Sequence, residues 1–167
     1  MLGDLMENDS NRIVSRIQDG VISRRNVYLG LHLEILYAED IDNPSIYPNV
    51  FNREYRLVVW VDPNEEFSTI PVEGLLNPVW NATGVILLKK FPGYHTFLNV
   101  EVLRVNSMND PGTSSGVVII GKVKIPLPRV LYGEKIGRFE LVREMGEGFK
   151  FEGHIHLSMK LRKYIYV

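Results

Sequence analysis

Alternation of apolar and polar side chains along the chain is the strongest constraint on this sequence. Between residues 27 and 35 every second residue is valine, leucine or isoleucine, and His32 and Glu34 stand between them. Successive side chains of a β-strand point to opposite faces, so this pattern predicts a strand with one buried face. Residues 95–105 and 150–163 show the same alternation, which predicts two further strands of this kind.

Eight strands are predicted in all, and turn-forming residues separate them. The predicted strands cover residues 27–36, 55–61, 67–72, 79–89, 95–105, 117–125, 137–142 and 150–163. The connections are too short for the helical crossovers that parallel strands need, so neighbouring strands should be antiparallel. The sequence therefore predicts an all-β fold, an eight-stranded antiparallel β-sandwich.

Composition excludes several classes of function. The chain has 167 residues, enough for one domain, and 19 basic against 20 acidic residues give a net charge of −1. Such a balance does not attract nucleic acid, so any electrostatic binding must come from a local patch. The absence of cysteine excludes disulfides, thiol nucleophiles and cysteine-ligated metals. We find no catalytic set, and we predict a non-enzymatic protein without a cofactor.

The first 26 residues differ from the rest. Their apolar residues recur at helix-like spacing, and Asn8–Ser10 and Asp19–Gly20 would cap and end a short helix over residues 11–18. We therefore predict an N-terminal extension at 1–26 and a β domain at 27–167. The extension is a docking helix for a partner or membrane, a segment packed on its own domain, or a frayed terminus. It has no apolar signal region, so a cytoplasmic location is expected.

The segment Asn77-Pro78-Val79-Trp80-Asn81 combines a turn with a large apolar anchor. With Leu33-Glu34-Ile35, Ala38–Ile41 and Ile120–Val123 it resembles the C2 domain family, over about residues 27–163. Trp60–Pro63 and Gly153–Leu157 look most like small plant single-C2 proteins of stress and defence responses. The resemblance implies an eight-stranded sandwich of the second circular arrangement (type II topology). Its end loops bind calcium and acidic phospholipids in some members, and proteins in others.

The calcium-binding acids that this resemblance implies are missing. The positions of the family's loop aspartates fall near Ser45 and at Arg53, Arg104 and Asn106. Calcium requires about six to eight oxygen ligands, whereas arginine has only hydrogen-bond donors and repels cations. We predict no functional calcium site and no other metal site.

The same loops suggest another use. Arg53 and Arg104 would lie at one end of the sandwich, where fixed positive charge attracts phosphate or carboxylate. Alternatively, the arginines pair with Glu54, Glu73 or Asp110, and Val50, Phe51 and Leu76 belong to the core. The predicted lipid- or partner-binding residues are Ile46, Tyr47, Phe51, Arg53, Leu75, Leu76, Arg104 and Met108.

Two weaker clusters are more typical of a solvated sheet face. His32 would approach His154 and His156 if the last strand lies beside the first, and three imidazoles can bind zinc. Arg56, Lys122 and Lys124 would bind a phosphoinositide only if they converge on one face.

Two functions remain open. One is a calcium-independent module that docks through its end loops to acidic phospholipid membranes, as a cytoplasmic protein peripheral to the membrane. The other is a protein-interaction scaffold in plant stress or defence signalling that binds no lipid.

Overall fold

The computed structural model describes residues 17–18, 21–22, 26–108 and 115–166. Every regular element in that part of the chain is a β-strand, and none of the described residues forms a helix that could cross a membrane. The strands are β1 (Ile17–Gln18), β2 (Val21–Ile22), β3 (Asn26–Glu39), β4 (Glu54–Trp60), β5 (Phe67–Ser68), β6 (Val72–Glu73), β7 (Val79–Leu88), β8 (Phe97–Val105), β9 (Val118–Pro126), β10 (Glu134–Glu144) and β11 (Phe149–Tyr166).

The strands form an antiparallel sheet that folds back on itself. Its order is β5-β4-β8-β9-β10-β11-β3-β7, and β6 also pairs with β4. The two ends of this path meet where the Phe67 ring lies over Gly84, so that a β-carbon on Gly84 would overlap the ring. The last strand, β11, pairs with β3, as the second C2 arrangement requires. The predicted antiparallel β-sandwich is confirmed.

The predicted strand at residues 67–72 is interrupted. Residues 69–71 separate β5 from β6. Thr69 exchanges two hydrogen bonds with Leu57: the Thr69 amide donates to the Leu57 carbonyl, and its hydroxyl accepts from the Leu57 amide. Pro71 has no amide proton and cannot donate to a ladder. One of the eight predicted strands is therefore two short edge pieces.

Most of the predicted N-terminal helix lies outside the described residues. Its last two residues, Ile17–Gln18, pair antiparallel with Val21–Ile22 in a two-stranded sheet. These two residues are therefore in a strand and not in a helix.

The main apolar core fills the space enclosed by the sheet, and Val58, Leu103 and Val105 form a smaller separate cluster. The alternation in β3 buries Leu31, Leu33 and Ile35 completely, as the sequence pattern predicts. Trp80 packs against this core and donates its indole N–H to the carbonyl of Tyr55 at 3.1 Å. The anchor predicted in the Asn77–Asn81 segment therefore joins β7 to β4.

The strand register brings four connections to the same end of the sheet. Glu54 is the Cα partner of both Val105 and Glu73, which aligns the first three connections. His154 is opposite Glu39, so the β10–β11 hairpin extends past the end of β3. We call this end the loop end; it comprises residues 40–53, 74–78, 106–108 with 115–117, and 145–148.

Gly153 sets how closely β11 passes the start of the first of these connections. It has a φ of 58°, and a β-carbon there would overlap the carbonyl oxygen of Glu39 and lie 2.7 Å from that of Asp40. We expect Gly153→Ala to lower the free energy of unfolding by about 2–4 kcal/mol, measured by urea denaturation, because strain and overlap add.

Gly146 provides a matched control, since its φ is 37° but nothing lies near its missing β-carbon. Gly146→Ala should lower the same free energy by only about 1 kcal/mol. Equal losses in the two variants would show that the close approach at Gly153 does not limit stability.

Candidate functional site

The side chain of Asp42 lies at the centre of the loop end and is fully buried. Its Oδ2 accepts hydrogen bonds from the Tyr55 hydroxyl at 2.7 Å and from Nη1 of Arg104 at 2.6 Å. Its Oδ1 accepts one from Nη1 of Arg143 at 3.1 Å. A carboxylate removed from water is tolerated only with charged or hydrogen-bonding partners, and both oxygens of Asp42 have them.

Strand pairing delivers these partners from separate elements. Tyr55 and Arg104 are Cα partners on β4 and β8, so their side chains reach Asp42 side by side. Arg143 follows the buried Leu141 by two residues on β10 and is itself buried. Period-two alternation therefore places a guanidinium where the pattern would otherwise put an apolar side chain.

The side chain of Arg53 holds the backbone of the connection at 40–53 through hydrogen bonds. Its Nη1 donates to the carbonyl of Asp42 at 2.6 Å, and its Nη2 donates to the carbonyl of Tyr47 at 2.8 Å. Its Nη1 also lies 3.6 Å from the Asp42 Oδ2. Arg53 directly precedes β4, so one side chain joins the beginning, middle and end of the connection at 40–53.

A second acid extends the network to β11. Glu152 is buried, and its Oε1 accepts the Asp42 amide at 2.7 Å and lies 3.3 Å from Nη1 of Arg143. Its Oε2 lies 3.3 Å from the Lys150 ammonium. Among the described side chains, two carboxylates are thus surrounded by four cations.

Tyr47 covers the outer side of this network. The Arg143 guanidinium lies 3.9 Å from the centre of its ring, and the Lys150 ammonium lies 4.6 Å from it. Both contacts have the geometry of cation–π interactions. The Tyr47 hydroxyl also donates to the sulfur of Met145, at 3.8 Å, in the turn between β10 and β11.

The electrostatics of the site favour ionised Asp42. Burial would raise the pKa of Asp42, but the hydrogen bonds from Arg104 and Tyr55 and the charge of Arg104 outweigh it and hold that pKa below the ordinary value. Burial and the bond to Asp42 raise the pKa of Tyr55. Burial alone would lower the pKa of Lys150, but its contacts with Tyr47 and Glu152 raise it. All three groups therefore keep their usual charge near neutral pH.

This arrangement is the chemical inverse of a calcium site. A calcium site gathers several carboxylates around one cation, whereas here guanidinium groups gather around one carboxylate. Among residues 26–108 and 115–166, no group of three or more acid, histidine or cysteine side chains is placed to hold a metal. The two other positions of missing acids are also accounted for: Ser45 donates its amide to Asn43, and Asn106 donates its side-chain amide to Glu54.

The predicted binding residues divide into three groups. Ile46, Phe51, Leu75 and Met108 are strongly exposed at the loop end, with relative exposures of 59%, 81%, 62% and 73%. Tyr47 and Leu76 are half-buried. Arg53 and Arg104 both contact Asp42, and their side chains are only 14% and 5% exposed.

Sequence reasoning did not identify Asp42 as the partner of the arginines, nor Arg143, Glu152 and Lys150 as members of the network. A signal for Arg143 was present, since it occupies an inward position of its strand two residues after Leu141. No comparable signal existed for Glu152. The positive φ of Gly153, next to it, accompanies a register shift that the amino-acid sequence does not indicate.

The three histidines do not meet. His32 is opposite Lys160, whereas His156 is opposite Tyr37 and stacks on its ring at 4.2 Å. Nε2 of His156 lies 3.1 Å from a carboxylate oxygen of Glu39. The contact with His156, opposed by partial burial and helped by Arg138, lowers the pKa of Glu39. The expected approach of His32 to the other two histidines is therefore wrong.

The basic residues of β9, Lys122 and Lys124, are partly neutralised by nearby carboxylates. Lys122 lies 2.5 Å from Glu144. Lys122 and Lys124 line a cavity of about 480 Å³ together with Glu101 and Trp60. Burial is the main cause that raises the pKa of Glu101.

We predict that Asp42→Asn, which keeps the side-chain shape but removes its charge, lowers the free energy of unfolding at pH 7 by about 3–5 kcal/mol, because the buried guanidinium groups of Arg104 and Arg143 lose their contact with its charge. The pKa of Asp42 is lower in the folded than in the unfolded chain, so wild-type stability falls as pH drops from about 4 through the folded pKa. The loss caused by the substitution should therefore shrink as the pH falls below about 4. Urea denaturation over this pH range measures it.

The matched control is Asp62→Asn. Its exposed carboxylate also has a lowered pKa, mainly through the Asn64 amide, and it contacts Lys89 at 3.4 Å. We expect a much smaller change at pH 7. A loss at Asp42 that stays constant with pH would contradict the role of its charge.

Solved structures resemble this chain in fold. No protein-family model and no curated protein matches the sequence. A C2 domain-containing protein assigned to an elicitor-responsive gene matches with a TM-score of 0.55 and 16% identity, over 80% of this chain and 88% of its own. C2 domain A of plant Extended Synaptotagmin 1 matches with a TM-score of 0.56 and 16% identity, over 83% and 95%.

A two-domain structure, C2 domains A and B of Extended-Synaptotagmin 2, matches with a TM-score of 0.58 and 16% identity, over 99% of this chain and 48% of its own. At such identities the likeness concerns the fold alone. Together with the strand order and the pairing of β11 with β3, it shows that this chain has the fold of a C2 domain.

Proposed function

We propose that this chain is a calcium-independent module that docks to acidic phospholipid membranes through its loop end. The observation that supports it best is the network around Asp42, which Arg53, Arg104 and Arg143 contact; the resemblance assigns the positions of Arg53 and Arg104 to calcium-binding acids. In a C2 domain that binds calcium, the cation holds the loops together and supplies positive charge. Here covalently attached guanidinium groups do both.

Exposed apolar side chains provide the docking contacts. Ile46, Phe51, Leu75 and Met108 come from three separate connections, and each exposes more than half of its surface. Inserted into the interfacial region of a bilayer, such side chains gain the free energy of apolar burial. The rigid network beneath them keeps the connection at 40–53 in one conformation, which lowers the entropy lost on binding.

Charge near the apolar tips selects acidic lipids. The side chains of Lys150 and Arg53 retain 31% and 14% exposure, the largest among the cations of the network. A basic side chain close to an anionic membrane contributes about 1 kcal/mol. Arg104 is too buried to reach a headgroup, so we assign it the role of holding Asp42. In this proposal the protein acts at the cytoplasmic surface of a membrane and catalyses no reaction.

Calcium should leave membrane binding unchanged. We expect the full chain to co-sediment equally with phosphatidylserine-containing vesicles in calcium and in EGTA, because the charge at the loop end is built into the chain. Isothermal titration should detect no calcium binding to the protein alone. Calcium binding in the micromolar range, or vesicle binding that appears only with calcium, would contradict the proposal.

The substitution Phe51→Ala should weaken binding to the same vesicles by about tenfold, the expected result of removing much of one buried aromatic side chain. Phe51 is 81% exposed, so the melting temperature should not change. Vesicle co-sedimentation at several lipid concentrations gives the affinity.

Tyr94 provides the control, because it is 77% exposed in the connection between β7 and β8 at the opposite end. Tyr94→Ala should bind vesicles like the wild type. If the wild-type chain binds no acidic vesicles but retains a protein from native extract, the protein-interaction alternative replaces this proposal.

A further inference from the structure

The hairpin between β10 and β11 forms a further projection at the loop end. Its turn is closed by a hydrogen bond from the Met145 amide to the Gly148 carbonyl at 2.9 Å. Gly146 and Gly148 have φ values of 37° and 140°, conformations that favour glycine. The turn is therefore tight, and the strands on both sides of it extend beyond the end of β3.

Alternation along the start of β11 separates charged from apolar side chains. Lys150 and Glu152 belong to the network around Asp42. Phe149 and Phe151 project from the other face and are 67% and 66% exposed, with their rings in edge-to-face contact at 6.2 Å. We call the projecting end of this hairpin the arm. Two neighbouring exposed phenylalanines on it are unusual, since such residues are normally buried.

The arm contacts the connection at 40–53, which carries predicted docking residues. Tyr47 belongs to that connection, and Arg143, Met145 and Lys150 of the hairpin all contact its side chain. Ile46 immediately precedes Tyr47 and is exposed. The hairpin and the first connection therefore form one unit that can meet a surface together.

We propose that this hairpin is an additional insertion element, which places Phe149 and Phe151 into an acidic bilayer beside Ile46 and Phe51. This inference rests on the membrane docking proposed above. The charges on the arm suit such a partner. Lys150 is cationic and partly exposed on the face of β11 opposite the two rings, and Glu144 on the neighbouring strand is paired with Lys122.

Glu147 at the turn is the residue that opposes this charge complementarity. It is exposed, and its carboxylate would approach the acidic headgroups. Glu147→Lys should therefore strengthen binding to vesicles of phosphatidylcholine with phosphatidylserine by several-fold, and leave binding to pure phosphatidylcholine unchanged. Equal binding of the variant and the wild type to the mixed vesicles would contradict the insertion of the turn.

The absence of cysteine from the chain allows a direct test by site-specific labelling. Single variants Phe149→Cys, Phe151→Cys and Phe51→Cys each carry an environment-sensitive fluorophore. Ile136→Cys is the control, since Ile136 is on the same hairpin, 70% exposed, but near the opposite end of β10. We expect vesicles containing phosphatidylserine to shift the emission of the first three labels to the blue and leave the fourth unchanged.

The outcomes separate this inference from the function on which it rests. A shift at position 51 without a shift at 149 or 151 would overturn the insertion of the hairpin and leave loop docking intact. No shift at any of the three positions would overturn both. A hairpin label that shifts with native extract but not with vesicles would assign the arm to a protein partner and also overturn the inference.

The unlabelled variant Phe149→Ser with Phe151→Ser gives an independent measure. It should lower vesicle affinity at least about tenfold, as expected when two aromatic side chains no longer enter the interface. Ile136→Ser should bind like the wild type. Wild-type affinity in the double variant, with its melting temperature unchanged, would contradict the proposal.

Discussion

The buried carboxylate of Asp42 is the constraint on which the loop end depends. Removing one ion from water costs several kcal/mol even after the protein relaxes around it. Tyr55, Arg104 and Arg143 offset this cost by direct contacts at 2.6–3.1 Å. Those partners come from β4, β8 and β10, so the position of the first connection is fixed by three strands at once. Glu152 adds β11 to the same network.

The network also explains why several residues with no charge occupy their positions. Trp80 bonds the carbonyl of Tyr55, and the Asp40 amide donates to the side chain of Asn77. These contacts hold both the strand that presents the Tyr55 hydroxyl and the segment that presents Asp42. Gly153 lets β11 pass close enough for Glu152 to accept the Asp42 amide. The turn-and-anchor segment and the glycine therefore stabilise the site indirectly.

Much of this fold was predictable from alternation, because burial of one strand face leaves a period of two in the sequence. The core positions Leu31, Leu33 and Ile35 follow it directly. The unusual placement of Arg53 and Arg104 was also visible, through the resemblance. Their partner was not, because Asp42 lies in an irregular connection with a φ of 50°, where no periodicity reports which way a side chain points.

A guanidinium that replaces a dissociable cation changes how docking can be controlled. Calcium binds reversibly, so the docking of a calcium-dependent module follows the calcium concentration. The positive charges of Arg53, Arg104 and Arg143 are permanent. Under the proposed function the remaining variables are the negative charge of the membrane and the ionic strength that screens it. The buried contacts to Asp42 are screened least, because they are desolvated, and the partly exposed Lys150 is screened more. Raising the salt concentration should thus release the module from the membrane before it disturbs the network that shapes its loops.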